Sequence, residues 1–174
     1  HRDLHSFPTR RSSDLATNQG RPRQVDQSQL RVGKELAATP GKVVYRNRLM
    51  ELIQFEPQTD EVHEIPILVS PPWINKYYIM DLAPGRSFLE WAVQHGHTVF
   101  VISYRDPDES MADTGLDDYL ELGDMAALDV VQDITGAEKV NLVGLCLGGL
   151  MATIATAMLH ARGQGHRINS LTLQ

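Results

Sequence analysis

An α/β fold with a mostly parallel sheet is what this sequence predicts, and three observations carry that prediction. From Ile65 onward, short continuous apolar runs alternate with stretches of helical spacing. Gly96 and Gly136 each close one of those helical stretches, where a left-handed cap is wanted. The single cysteine lies in Val143-Gly144-Leu145-Cys146-Leu147-Gly148-Gly149, between an apolar run and a proline-free helical stretch. A strand–turn–helix with small neighbours around a nucleophilic side chain is the layout of a nucleophile elbow.

The elements follow in order. Residues 16–29 are rich in Gln, Arg and Asp with few apolar side chains, and are expected to be loose. Val43-Val44-Tyr45 and residues 49–55 read as antiparallel edge strands, the second alternating apolar and polar. Residues 57–60 form a turn cluster. The runs 65–69 and 98–102 are apolar throughout, as strands covered on both faces are. Between them, residues 86–95 are predicted helical, with Phe88, Leu89 and Ala92 on one face. A second helix is expected over 117–135, its apolar positions being Leu120, Ala127, Leu128, Val131 and Ile134. A strand over 139–143, a helix over 150–161 and a strand over 168–173 complete a βαβαβ run with right-handed crossovers.

Composition narrows the function classes. The 174 residues, 42% hydrophobic and 22% charged, suffice for one domain with a core. A formal net charge of -6 and the lack of a basic block after residue 15 argue against a nucleic-acid partner. One cysteine excludes a disulfide framework and a zinc ribbon; it fits a reducing cytoplasm, and no metal or cofactor is expected. No apolar run reaches the roughly 18–20 residues of a transmembrane segment.

Both ends carry expectations of their own. Residues 5–15 back-translate in frame to a common sequencing-library adapter, so residues 1–15 are expected to be an assembly artefact. At the other end, Leu171-Thr172-Leu173-Gln174 falls inside a strand pattern, which predicts a fragment whose sheet is incomplete at its C-terminus. The expected division is 1–15 artefact, 16–40 the end of an N-terminal region or linker, and 41–174 the first part of a catalytic domain.

At the elbow, the helix N-terminus places partial positive charge beside Cys146, which favours the thiolate. The Leu147 N–H is aimed at the same space and is a candidate donor to an acyl oxyanion. Gly144, Gly148 and Gly149 are the glycines such a turn needs. A second donor is expected from Ser70-Pro71-Pro72-Trp73-Ile74, directly after a core strand. Proline has no N–H, so Trp73 or Ile74 is the candidate there. Arg105, in Ser103-Tyr104-Arg105-Asp106-Pro107-Asp108, is read equally well as a structural ion pair or a substrate contact.

Together these segments resemble the class I polyhydroxyalkanoate synthases, whose catalytic domain has an α/β-hydrolase fold. The similarity runs from about Gly33 to Thr172. Its strongest part is Ile74-Asn75-Lys76-Tyr77-Tyr78-Ile79-Met80-Asp81-Leu82 combined with a cysteine in a lipase box. Pro40-Gly41-Lys42-Val43-Val44-Tyr45, Gln94-His95-Gly96-His97-Thr98-Val99-Phe100 and Arg105-Asp106-Pro107-Asp108-Glu109-Ser110-Met111 add to it. Two positions depart from the pattern: Trp73 stands where some relatives carry a small residue, and Asp106 replaces the usual asparagine of R-N-P-D.

The resemblance implies that Cys146 is acylated by 3-hydroxyacyl-CoA, chiefly 3-hydroxybutyryl-CoA, and carries the growing polyester. It further implies a granule surface in the cytoplasm, a homodimer in the full-length form, and a catalytic aspartate and histidine downstream of residue 174. His63, His95, His97, His160 and His166 are therefore read as structural or surface residues, and the chain alone as inactive. Two other readings stand beside this one: a cysteine thioesterase or dienelactone-hydrolase-like enzyme, and a non-catalytic granule protein.

Overall fold

The computed structural model describes residues 30–174; the expectations placed on residues 1–29 lie outside them. Its strands are β1 (Gly41–Arg46), β2 (Met50–Phe55), β3 (Ile67–Ser70), β4 (Asp81–Ala83), β5 (Arg86–Ser87), β6 (Val99–Tyr104), β7 (Val140–Gly144) and β8 (Ile168–Leu173). Its helices are α1 (Phe88–Gln94), α2 (Leu116–Tyr119), α3 (Ala126–Thr135) and α4 (Leu147–Ala161). Six strands form one sheet in the order β1-β2-β6-β3-β7-β8, and β4 and β5 form a small separate ribbon. The β1–β2 and β2–β6 pairs are antiparallel; the remaining three pairs are parallel.

Side chains two apart on a strand share a face, and here both faces are apolar. Leu68, Phe100, Ile102 and Leu142 point to the side covered by Leu128 and Val131 of α3 and Ala152, Ala155 and Leu159 of α4. Ile67, Val69, Val99, Val101 and Val143 point to the other, against Leu89, Ala92 and Val93 of α1. Each fully buried aliphatic side chain stabilises by about 1.5–3 kcal/mol. This explains why the central strands read as unbroken apolar runs, while the mostly exposed β1 does not. Among the described residues no helix is long and apolar enough to cross a membrane.

Four of the differences from the sequence reading bear on the site. β3 begins at Ile67 rather than at residue 65, after Pro66, whose nitrogen has no hydrogen to donate to a ladder. Arg86 and Ser87 pair with β4 instead of starting α1, because the Ser87 hydroxyl caps the helix by accepting from the Glu90 N–H at 2.8 Å. α4 starts at Leu147, immediately after the nucleophile position, not at residue 150.

The expected helix over 117–135 is broken into α2, a π-helical turn from Leu120–Met125, and α3. A π turn inserts an extra residue and rotates the face that follows. Gly123, Asp124 and Met125 are buried in this turn, and Ile134, in the last turn of α3, is 44% exposed rather than packed. The Asn47 side-chain amide stabilises the turn by donating to the Leu122 carbonyl at 2.7 Å.

Candidate active site

Parallel strands bring their C-terminal ends to one edge of the sheet, and there the candidate residues collect. β7 ends at Gly144 and the chain turns within two residues into α4. Cys146 sits on that turn with φ 57° and ψ -123°, one of two non-glycine residues at positive φ among those described. Such a backbone costs on the order of 1–3 kcal/mol and persists only where the surroundings enforce it. The thiol is free and exposed.

Close backbone approach supplies the enforcement. A Cβ at Gly148 would lie 2.2 Å from the Ser70 carbonyl oxygen and 2.4 Å from that of Pro71. At Gly144 it would lie 2.5 Å from the Gly149 Cα. The start of α4 therefore rests directly on the β3 exit loop, and the strand end rests on the helix. The Leu145 N–H donates to the Ser70 carbonyl at 3.1 Å, and the Cys146 N–H donates to the Gln174 carbonyl at 3.0 Å. Gly148 and Gly149 N–H groups turn back onto Leu145 and Cys146 carbonyls. Leu147, at the first helical position, has an N–H that enters no hydrogen bond among the described residues, as a free helix N-terminus leaves it.

The second candidate donor segment lies against this turn. Ser70, Pro71 and Pro72 are buried, Trp73 is half-buried and Ile74 is 87% exposed. Neither the Trp73 nor the Ile74 N–H is hydrogen-bonded among the described residues. The Trp73 indole stacks on Tyr119 with ring centroids 4.3 Å apart and meets Tyr104 edge-on at 5.9 Å. The segment 71–77 and residues 103–107 line one cleft. Across it Lys76 pairs with Asp106, while Arg105 pairs with Asp108 within its own turn. Arg105 is thus engaged in a structural ion pair, one of the two roles its sequence context allowed.

A buried polar group that the sequence reading missed sits beneath that loop. Asp124, 2% exposed, accepts a hydrogen bond from the Tyr104 hydroxyl at 3.3 Å. The Ser70 hydroxyl and the Trp73 indole N–H are buried beside the same pair without a hydrogen-bond partner, as is the second Asp124 oxygen. Burial pushes the Asp124 carboxyl up to about 6, against the pull of the Ser70 and Tyr104 hydroxyls. Burial, and next the Asp124 charge, holds the Tyr104 hydroxyl well above its ordinary value. One signal was present in the sequence: position 124 falls on the apolar face set by Leu120, Ala127, Leu128 and Val131, and a carboxylate there needs partners.

The five described histidines lie elsewhere. His63 precedes β3, and His95 and His97 precede β6, at the edge opposite the elbow. His160 lies in the last turn of α4, which runs back to that same opposite edge, and His166 follows the helix there. His63 and His97 stack with centroids 4.6 Å apart, and burial lowers the His97 value. Among the described residues Cys146 is a free cysteine, and no group of three or more His, Cys, Asp and Glu could hold a metal.

Comparison with known proteins bears directly on this arrangement. Residues 73–174, more than half of the chain, match the family described as the alpha/beta hydrolase fold. The chain belongs to that family. Residues 9–92 match the family described as the poly-beta-hydroxybutyrate polymerase (PhaC) N-terminus. The poly(3-hydroxyalkanoate) polymerase subunit PhaC of Cupriavidus necator is 46% identical over 88% of this chain and 26% of its own length. That of Rhizobium meliloti is 43% identical over 93% of this chain and 27% of its own length. The chain therefore spans about a quarter of these curated relatives, and the resemblance to polyhydroxyalkanoate synthases read from its motifs holds.

Solved α/β-hydrolase structures agree at the level of fold. A Rhizomucor miehei esterase matches with TM-score 0.56 at 16% identity, covering 94% of this chain and 56% of its own. Brefeldin A esterase matches with TM-score 0.51 at 18% identity, over 97% and 48% respectively.

Proposed function

We propose that this sequence is part of a class I polyhydroxyalkanoate synthase, an acyltransferase that polymerises 3-hydroxyacyl-CoA, chiefly 3-hydroxybutyryl-CoA. The observation that carries the reading is a cysteine held at positive φ on the elbow of a chain 46% identical to a poly(3-hydroxyalkanoate) polymerase. Residues 41–174 are then the first part of its catalytic domain.

In this reading a base takes the Cys146 proton and Sγ attacks the thioester carbonyl carbon. The bond to coenzyme A breaks, and coenzyme A leaves as the thiol. The Leu147 N–H and the Trp73 or Ile74 N–H stabilise the oxyanion on the way; losing one such donor typically costs about 2.7–4 kcal/mol of barrier. The hydroxyl of a second unit then attacks the Cys146 thioester, an ester bond forms, and the thiol is freed. The base is a histidine outside residues 30–174, since the five histidines described gather at the far edge of the sheet. A homodimer working at the surface of a cytoplasmic polyester granule belongs to the same reading.

The experiment that tests it supplies the full-length protein with 3-hydroxybutyryl-CoA and analyses the products. Polymer with stoichiometric coenzyme A is the expected result. Free 3-hydroxybutyrate without polymer would assign the elbow to a thioesterase instead.

A further inference from the structure

We infer that Asp124 is a positioning residue for the oxyanion-binding loop, acting through Tyr104 and Ser70. The inference rests on the reading of Cys146 as nucleophile and of the 70–74 segment as one wall of the oxyanion site.

The buried group is assembled from three separate elements, the π turn and the ends of β6 and β3. The π turn holds Asp124 buried, at a position that the helical spacing of Leu120, Leu128 and Val131 also directs at the core. Gly123, directly before it, leaves room for the Tyr104 hydroxyl: a Cβ there would lie 2.8 Å from that oxygen. β6 ends at Tyr104, whose ring supports the Trp73 indole from its edge. β3 ends at Ser70, fully buried, whose hydroxyl, like one Asp124 oxygen, is buried without a hydrogen-bond partner, and whose carbonyl holds the Leu145 N–H of the elbow.

Asp124 is thus hydrogen-bonded to the end of β6 through Tyr104, and its second oxygen and the Ser70 hydroxyl at the end of β3 are left buried and unpaired. A buried carboxylate with two hydroxyls around it has a strong preference for one geometry, because any departure leaves charge unpaired in an apolar setting. Ser70 transmits that geometry in two directions: backward to the elbow through Leu145 and the Gly148 contact, and forward to Trp73 and Ile74 through the rigid Pro71-Pro72 pair. The distance between the two oxyanion donors is set by this link, and a misplacement of about 1 Å costs on the order of a hundredfold in rate.

The test measures kcat and KM for coenzyme A release from 3-hydroxybutyryl-CoA by the full-length protein. Asp124→Ala is expected to lower kcat at least about tenfold with KM within twofold. Asp124→Asn, which accepts from Tyr104 and offers an N–H to Ser70, is expected to return most of the loss. Tyr104→Phe removes one hydroxyl without a cavity; it is expected to lower kcat about threefold or more, and it decides the matter if Asp124→Ala does not fold. Wild-type kcat in Tyr104→Phe and in folded Asp124→Ala overturns the inference, as does a loss carried by KM alone. A Cys146→Ala control separates the two levels. If that variant still releases coenzyme A, the nucleophile reading fails; if it is dead while Asp124→Ala is normal, only the positioning role fails.

Discussion

The elbow and the loop facing it reach the same small space by opposite means. Around Cys146 the geometry is fixed by backbone against backbone: Gly144 on Gly149, Gly148 on the Ser70 and Pro71 carbonyls. Around Trp73 it is fixed by side chains that come from distant parts of the chain, Tyr104, Tyr119 and Asp124. The difference teaches what each half tolerates. A backbone contact has no conformational slack, so any side chain added there displaces an entire element. A side-chain cluster can repack, but its polar members respond to pH.

The largest effect should come from adding a methyl group on the backbone side. Gly148→Ala places a Cβ 2.2 Å from a carbonyl oxygen, and neither partner is a flexible side-chain end. We expect a loss of about 3 kcal/mol, read from denaturant unfolding of the full-length protein, together with loss of turnover. A stable, active Gly148→Ala protein would break the distinction between the two halves.

The side-chain half is sharpened by pH. Asp124 has its folded value raised from 3.8 to about 6, so the native state prefers the protonated form. Its contribution to stability is full below about pH 4 and is lost as pH rises through 6. Asp124→Asn cannot titrate. Its stability relative to the parent should therefore improve by about 2–3 kcal/mol between pH 4 and pH 8. Parallel stability curves for the two proteins would show that the carboxyl is not desolvated as its burial implies.

The smallest effect lies on the rim of the same cleft. Lys76 and Asp106 form an ion pair whose side chains are 44% and 80% exposed. Lys76→Met should change stability by no more than about 0.5 kcal/mol, measured by thermal unfolding at moderate salt. A larger change would mean that the loop depends on its rim as well as on its buried face.

The same division explains what was legible in the sequence. The parallel core was readable because both faces of β3, β6 and β7 are covered, which leaves an uninterrupted apolar run in each strand. The elbow was readable because its requirements are local: small residues within a few positions of Cys146. The association of Asp124, Tyr104 and Ser70 was not, beyond the carboxylate on an apolar face at position 124, since it is created by the sheet order and by a π turn that no local propensity marks. The helix over 117–135 was expected to be continuous for the same reason. Its register depends on Asn47, far away in the chain, holding the Leu122 carbonyl.

The acylation of Cys146 is the most direct test of the account. The full-length protein would be mixed briefly with 3-hydroxybutyryl-CoA, quenched in acid, digested and analysed by mass spectrometry. The account predicts a hydroxybutyryl adduct on the peptide containing Cys146, and no adduct and no coenzyme A release in Cys146→Ala. Undiminished coenzyme A release by Cys146→Ala would contradict it.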